Sequence, residues 1–102
     1  MGYIIIKTTT ENYKEAEKLA KKIIEAGLGA CIQISEIKSF YKWDGKTENS
    51  KENKLEIKTK SSNYKKIEEL IKKNHKYKIP QIISVKINKG SKDYLNWINE
   101  SC

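Results

Sequence analysis

The alternation of apolar and polar positions divides the chain into seven elements. Tyr3 to Thr8 is a short run rich in isoleucine, which predicts a buried strand. In "ENYKEAEKLAKKIIEAGLG", Ala16, Leu19, Ala20, Ile23 and Ile24 fall at i, i+3, i+4, i+7 and i+8, one face of a helix. Asn12 followed by Glu15 fits a capping box at its start, and Gly27 suits the residue just past its end. Ala30 to Trp43 reads as one long strand. Ile32, Ile34 and Phe40 mark one face, and Cys31, Ile37, Ser39, Tyr41 and Trp43 share the odd positions. The change of parity predicts a bulge near Ser35–Glu36.

Asp44-Gly45 is a strong hairpin signal. The returning strand is clearest at "KLEIKTK", where Leu55, Ile57 and Thr59 alternate with Glu56, Lys58 and Lys60. Before it, Lys46 to Lys54 is the loosest and most turn-rich segment. A second helix is predicted from about Asn63 to Asn74, with Tyr64, Ile67, Leu70 and Ile71 inward and Ser62 or Asn63 as its cap. "IPQIISVKI" reads as a strand with Pro80 near its start or on an edge. Gly90-Ser91 breaks it. "SKDYLNWINES" closes the chain as a short helix, with Tyr94, Leu95 and Ile98 inward.

The order β-α-β-β-α-β-α is an α+β pattern. Two βαβ-type halves joined by a hairpin predict a ferredoxin-like split βαβ domain with a long extended hairpin and an added C-terminal helix. The 102 residues suit one domain spanning 1–102. Two long hairpin strands exceed what so small a core can cover, and their free edge invites pairing with another copy.

Charged residues make up 33% of the chain and hydrophobic ones 37%, an ordinary balance for a wet globular surface. The net charge is +8, which raises the question of nucleic acid. All 21 basic residues are lysine. Arginine, which reads bases bidentately and stacks on them, is absent, and so is an RRM-type aromatic pair. The charge therefore reads as a solvated surface with weak phosphate attraction and no specific nucleic-acid partner. No apolar run approaches the roughly 18–20 residues of a membrane span. The N-terminus lacks a basic segment and a small-residue cleavage site, so the expected location is the cytoplasm, away from membranes.

His75, the single histidine, is the leading candidate for chemistry. A neutral imidazole binds copper or zinc; equally, a histidine at a helix end can satisfy the last carbonyls. Its own segment holds no other His, Cys, Asp or Glu, so further ligands would come from Cys31, Glu48, Glu52 or another subunit. Cys31 sits in an apolar strand, and Cys102 reads as a frayed terminal thiol. A disulfide between them is left open. There is no GxSxG elbow, no phosphate loop and no GxGxxG, so catalysis is not expected. Tyr41, Trp43, Tyr77, Tyr94 and Trp97 either line a cleft or pack an interface. Glu52 and Lys58 are either polar members of that cleft or an ion pair.

Four segments in order carry a family resemblance. "TTTENYKEAEKLAKKIIEAGLGACIQI", "SFYKWDGKTENSKENKLEIKT", "HKYKIPQII" and "GSKDYLNWI" resemble the CutA proteins, the divalent-cation tolerance family, over nearly the whole chain. The resemblance implies a homotrimer whose hairpin strands pair across subunits, and an architecture like that of the trimeric PII signalling proteins. It implies a non-catalytic role in binding or responding to copper or another divalent cation. The alternative it leaves is a PII-like sensor that binds a small anionic ligand in an intersubunit cleft. The carried-over metal candidates are His75 and Cys31. The carried-over cleft residues are Tyr41, Trp43, Glu52, Lys58, Tyr77, Tyr94 and Trp97. Lys76, Lys78 and Gln81 stand where the family pattern has Pro, Glu and Glu, which removes two carboxylates near His75.

Overall fold

The structure, a computed structural model, describes residues 2–102. Strand β1 spans Tyr3–Thr10, helix α1 Tyr13–Glu25, β2 Cys31–Trp43 and β3 Lys46–Lys60. A 3-10 turn at Ser61–Asn63 leads into α2, Tyr64–Asn74. Then come β4, Ile82–Ile87, and α3, Lys92–Ser101. The four strands form one antiparallel sheet in the order β2-β3-β1-β4. Each helical crossover skips one strand, so the two βαβ halves interleave in the split arrangement. The α+β class and the long hairpin follow the sequence pattern.

Residues paired across strands share a sheet face. Ile4, Ile6, Ile32, Ile34, Leu55 and Ile57 occupy the inner face, against Ala16, Leu19 and Ile23 of α1 and Ile67 and Ile71 of α2. Each fully buried isoleucine contributes about 1.5–3 kcal/mol of burial. Helix α1 starts where Asn12 accepts the Glu15 amide. It ends in a Schellman motif. Gly27 takes φ +72°, its N–H donates to the Ile24 carbonyl, and the Leu28 N–H donates to the Ile23 carbonyl.

Several boundaries differ from the sequence pattern. No bulge interrupts β2: every residue from Cys31 to Trp43 pairs one-to-one with Lys58 to Lys46. The parity change has another cause. The hairpin runs past the helices, so the inner face loses its cover and becomes polar. The turn-rich Lys46–Lys54 stretch is the first half of β3, a strand made by pairing rather than by composition. Its turn, Asp44-Gly45, has φ +52° and +76°, as a two-residue hairpin of the primed type needs. Asn63 does not cap α2. The 3-10 turn leads in helically, and the Asn63 amide donates to the Leu28 carbonyl and Thr59 Oγ1 instead. Ile24 and Tyr94, read as inward, are 43% and 39% exposed, because each lies at the rim of its apolar stripe. Both cysteines are free thiols. Cys102 is not frayed: its thiol donates to the Ile98 carbonyl and touches Thr59 Oγ1.

Candidate functional site

The hairpin turn sets the register, and the register builds the site. Pairing puts Ile37 opposite Glu52, Ser39 opposite Ser50, Tyr41 opposite Glu48 and Trp43 opposite Lys46, all on the face away from α1 and α2. The segment after α2 then crosses the end of β1 and lies beside this face. Between them is a cavity of about 700 Å³. Tyr41 and Trp43 form its aromatic side, Tyr77 to Gln81 its other wall, and Glu11 and Glu52 its acidic groups.

His75 secures that wall. Its Nδ1 accepts the Tyr77 N–H at 3.0 Å, so Nε2 carries the proton and donates to the Thr9 carbonyl. This is the pattern of a neutral imidazole held by backbone on both sides. Two residues on, the Tyr77 hydroxyl donates to Glu52 Oε2 at 3.0 Å. Burial, helped by Glu52 and then by Glu11 and Tyr41, pushes the Tyr77 phenol up to about 12. Glu52 itself is 8% exposed, and among the described residues no lysine or histidine lies within ion-pair distance of it.

The sequence-derived candidates fall into two groups. Tyr41, Trp43, Glu52 and Tyr77 meet in the hairpin cavity. Lys58, Tyr94 and Trp97 meet at the other end of the sheet, with Lys58 Nζ 5.4 Å above the Tyr94 ring and the two aromatic centroids 5.6 Å apart. Lys58 lies six residue steps beyond Glu52 along β3, about 20 Å at strand rise. Cys31 pairs with Lys58 at that far end, whereas His75 is bonded to Thr9, whose β3 partner is Lys54. One protomer therefore does not bring Cys31 and His75 together. Among the described residues no group of three or more His, Cys, Asp or Glu side chains is arranged to hold a metal ion. Thr9, Glu11, Ser39, Phe40 and Ser50 also line the cavity without having been singled out from the sequence. The Asp44-Gly45 register alone would have found Ser39 and Ser50.

The fold is shared by proteins of one family. The family model for the CutA1 divalent ion tolerance protein matches residues 4–101. The chain belongs to the CutA1 family. Its divalent-cation tolerance relative from Archaeoglobus fulgidus is 38% identical, and the match covers 94% of each chain. The relative from Pyrococcus horikoshii is 36% identical over 95% of each. The solved A. fulgidus structure, described as periplasmic, superposes with a TM-score of 0.95 over 97% of both chains. CutA1 from Oryza sativa superposes with a TM-score of 0.95 over 99% of this chain and 94% of that one, at 35% identity. An Arabidopsis thaliana CutA relative is described as chloroplastic. In this CutA1 chain no helix among the described residues is long and apolar enough to cross a membrane.

Proposed function

We propose that the chain is a non-catalytic divalent-cation tolerance protein that works in the cytoplasm as a homotrimer and meets copper or another divalent ion as a weakly bound ligand. The observation behind this reading is Glu52, a nine-tenths buried carboxylate with no cation within ion-pair distance among the described residues. Removing a lone carboxylate from water is costly, and an incoming cation offsets that cost. With Glu11 it offers oxygen donors, which suit loosely held ions. His75 joins such a site only by giving up the Tyr77 N–H, and Cys31 only through another subunit.

Support for the trimer comes from the outer sheet face. Ile83 and Val85 of β4 lie half-exposed on it, and pairing sets Ile5 beside Val85. The outer edge of β2 pairs with no strand among the described residues. Apolar surface and a long free edge together call for a partner of matching shape, which another copy supplies.

Calorimetric titration with copper(II) and zinc, on the wild type beside His75→Ala and Glu52→Gln, tests the metal part. Binding that weakens in Glu52→Gln supports it; no heat from either metal at millimolar concentration sinks it. Sedimentation tests assembly: the wild type is expected at three chains per particle, and Val85→Lys at one.

A second reading has its own observation. Lys58 over Tyr94, beside Trp97, is a cationic and aromatic cluster suited to a small anionic ligand, as in a PII-like sensor. Thermal stabilisation by nucleotides and not by metals, abolished in Lys58→Met, would favour it over the first.

A further inference from the structure

We propose that the helix-side face of the hairpin is a docking surface for single-stranded nucleic acid, bound without regard to sequence. The inference uses neither the outer-face cavity nor a metal ion, so it is independent of the reading above.

Strand parity sets this face. Lys38, Phe40 and Lys42 of β2 alternate with Tyr41 and Trp43, and their partners on β3 are Lys51, Asn49 and Thr47. They share the side of the sheet on which α1 and α2 pack lower down. The hairpin outruns the helices there, and every one of these residues is exposed. The apolar surface and free edge assigned above to a second copy are the opposite face of the sheet and the rim of β2.

Charge determines what this face can meet. Lys38 and Lys51 stand directly opposite each other, with Cβ atoms about 5 Å apart. Like charges so placed repel. Lys42 adds a third ammonium to the same face, about 14 Å along β2 from Lys38. Among the described residues none of the three lysines is in an ion pair, and Glu36 is the one carboxylate on this stretch of the face. A second copy, itself carrying +8, is a poor counterpart. A polyanion relieves the repulsion.

The aromatic ring selects among polyanions. Phe40 is 68% exposed and lies on the face between Lys38 and Lys42. Lys38 Nζ is 5.5 Å from its ring centroid. An ammonium beside an aromatic plane matches a nucleotide, which carries a phosphate beside a base. Unpaired bases stack on such rings whatever their identity, whereas a base inside a duplex has both its faces covered. An acidic peptide offers no base to stack. Arginine, the residue that reads base edges bidentately, is absent from the chain, so the binding is independent of sequence.

The test is fluorescence anisotropy of a labelled oligothymidylate of about 16 nucleotides, titrated with the full chain. Saturable binding is expected at low salt, with a dissociation constant on the order of 10 μM. The logarithm of the affinity should fall against the logarithm of salt with a slope of about −2, for three lysine–phosphate contacts. Lys38→Gln combined with Lys51→Gln removes a repulsion from the free protein, so folding is not at risk. It is expected to weaken binding about tenfold and to flatten the slope by about 1.4. Phe40→Leu is expected to weaken oligothymidylate binding about tenfold at unchanged slope, and to leave binding of inorganic polyphosphate as it was. Lys65→Gln combined with Lys66→Gln, on the exposed side of α2, makes the same change of charge and is expected to alter binding little. Equal losses in this control, or no effect of Phe40→Leu, overturn the proposal. So does competition by polyaspartate or duplex DNA as strong as that by unlabelled oligothymidylate, since the face would then hold charge alone. Absence of saturable binding, as a face closed by a second copy would give, overturns it as well.

Discussion

The Tyr77 hydroxyl donates to Glu52 Oε2 at 3.0 Å across 25 residues of chain, and it joins the loop after α2 to the middle of β3. Tyr77→Phe leaves a nine-tenths buried carboxylate without its donor. The expected loss is about 1–3 kcal/mol, measured as a lower urea midpoint at neutral pH. An unchanged midpoint would mean that water replaces the phenol freely.

The same pair sets a pH dependence. The Tyr77 phenol is held at about 12 in the folded protein, above its ordinary value of 10.0. The unfolded chain therefore gives up this proton first. Stability from this group is fully present below pH 10 and falls as the pH rises from about 10 to about 12. Lysines titrate in that window too, so the measured quantity is the difference between wild type and Tyr77→Phe. The variant should lose stability less steeply there, and parallel curves would contradict the assignment.

His75 holds the loop at two points, the Thr9 carbonyl and the Tyr77 N–H. In His75→Ala the Tyr77 amide loses its acceptor. Its hydrogen exchange is expected to speed up by about tenfold, with the core amides of β1 and β3 much less affected. Equal acceleration throughout would show that His75 supports global stability rather than the local wall.

Thr8 is fully buried on the inner face, and its Oγ1 has no hydrogen-bond partner among the described residues. Thr8→Val keeps the shape and removes the stranded hydroxyl. The expected result is a gain of about 1 kcal/mol in chemical denaturation. A loss of stability would reveal a partner for the hydroxyl, such as a buried water.

Two glycines predict contrasting costs. At Gly27, φ is +72° and an added Cβ meets nothing within 4 Å, so Gly27→Ala costs backbone strain alone, about 1–2 kcal/mol. Asparagine tolerates that conformation better and should recover part of it. At Gly29 an added Cβ lies 3.0 Å from Ile23 Cγ2 and 3.2 Å from Ile57 Cγ2, so Gly29→Ala overpacks the core by about 1–3 kcal/mol. Ile23→Ala removes the Cγ2 nearest the new Cβ, so it should cost less in the Gly29→Ala background than alone and the same in the Gly27→Ala background; the reverse pattern would refute both explanations.

What the chain alone determined is the part that local physics repeats. The stripe Ala16, Leu19 and Ile23 made α1, Asn12 and Gly27 bounded it, and Asp44-Gly45 made the hairpin. These signals act over a few residues, so they are visible without a fold. His75 was legible as a special residue, but not its role, because its partners Thr9 and Tyr77 are joined to it only when the loop crosses the end of β1. Tertiary structure alone decided that the polar stretch Lys46–Lys54 is strand, since pairing with β2 supplies what its composition lacks. It also decided that Tyr41, Trp43, Glu52 and Tyr77 share a cavity while Lys58, Tyr94 and Trp97 lie at the opposite end of the sheet. Residue types announce what each side chain can do; only the strand register, fixed by hydrogen bonds between distant segments, says which of them meet.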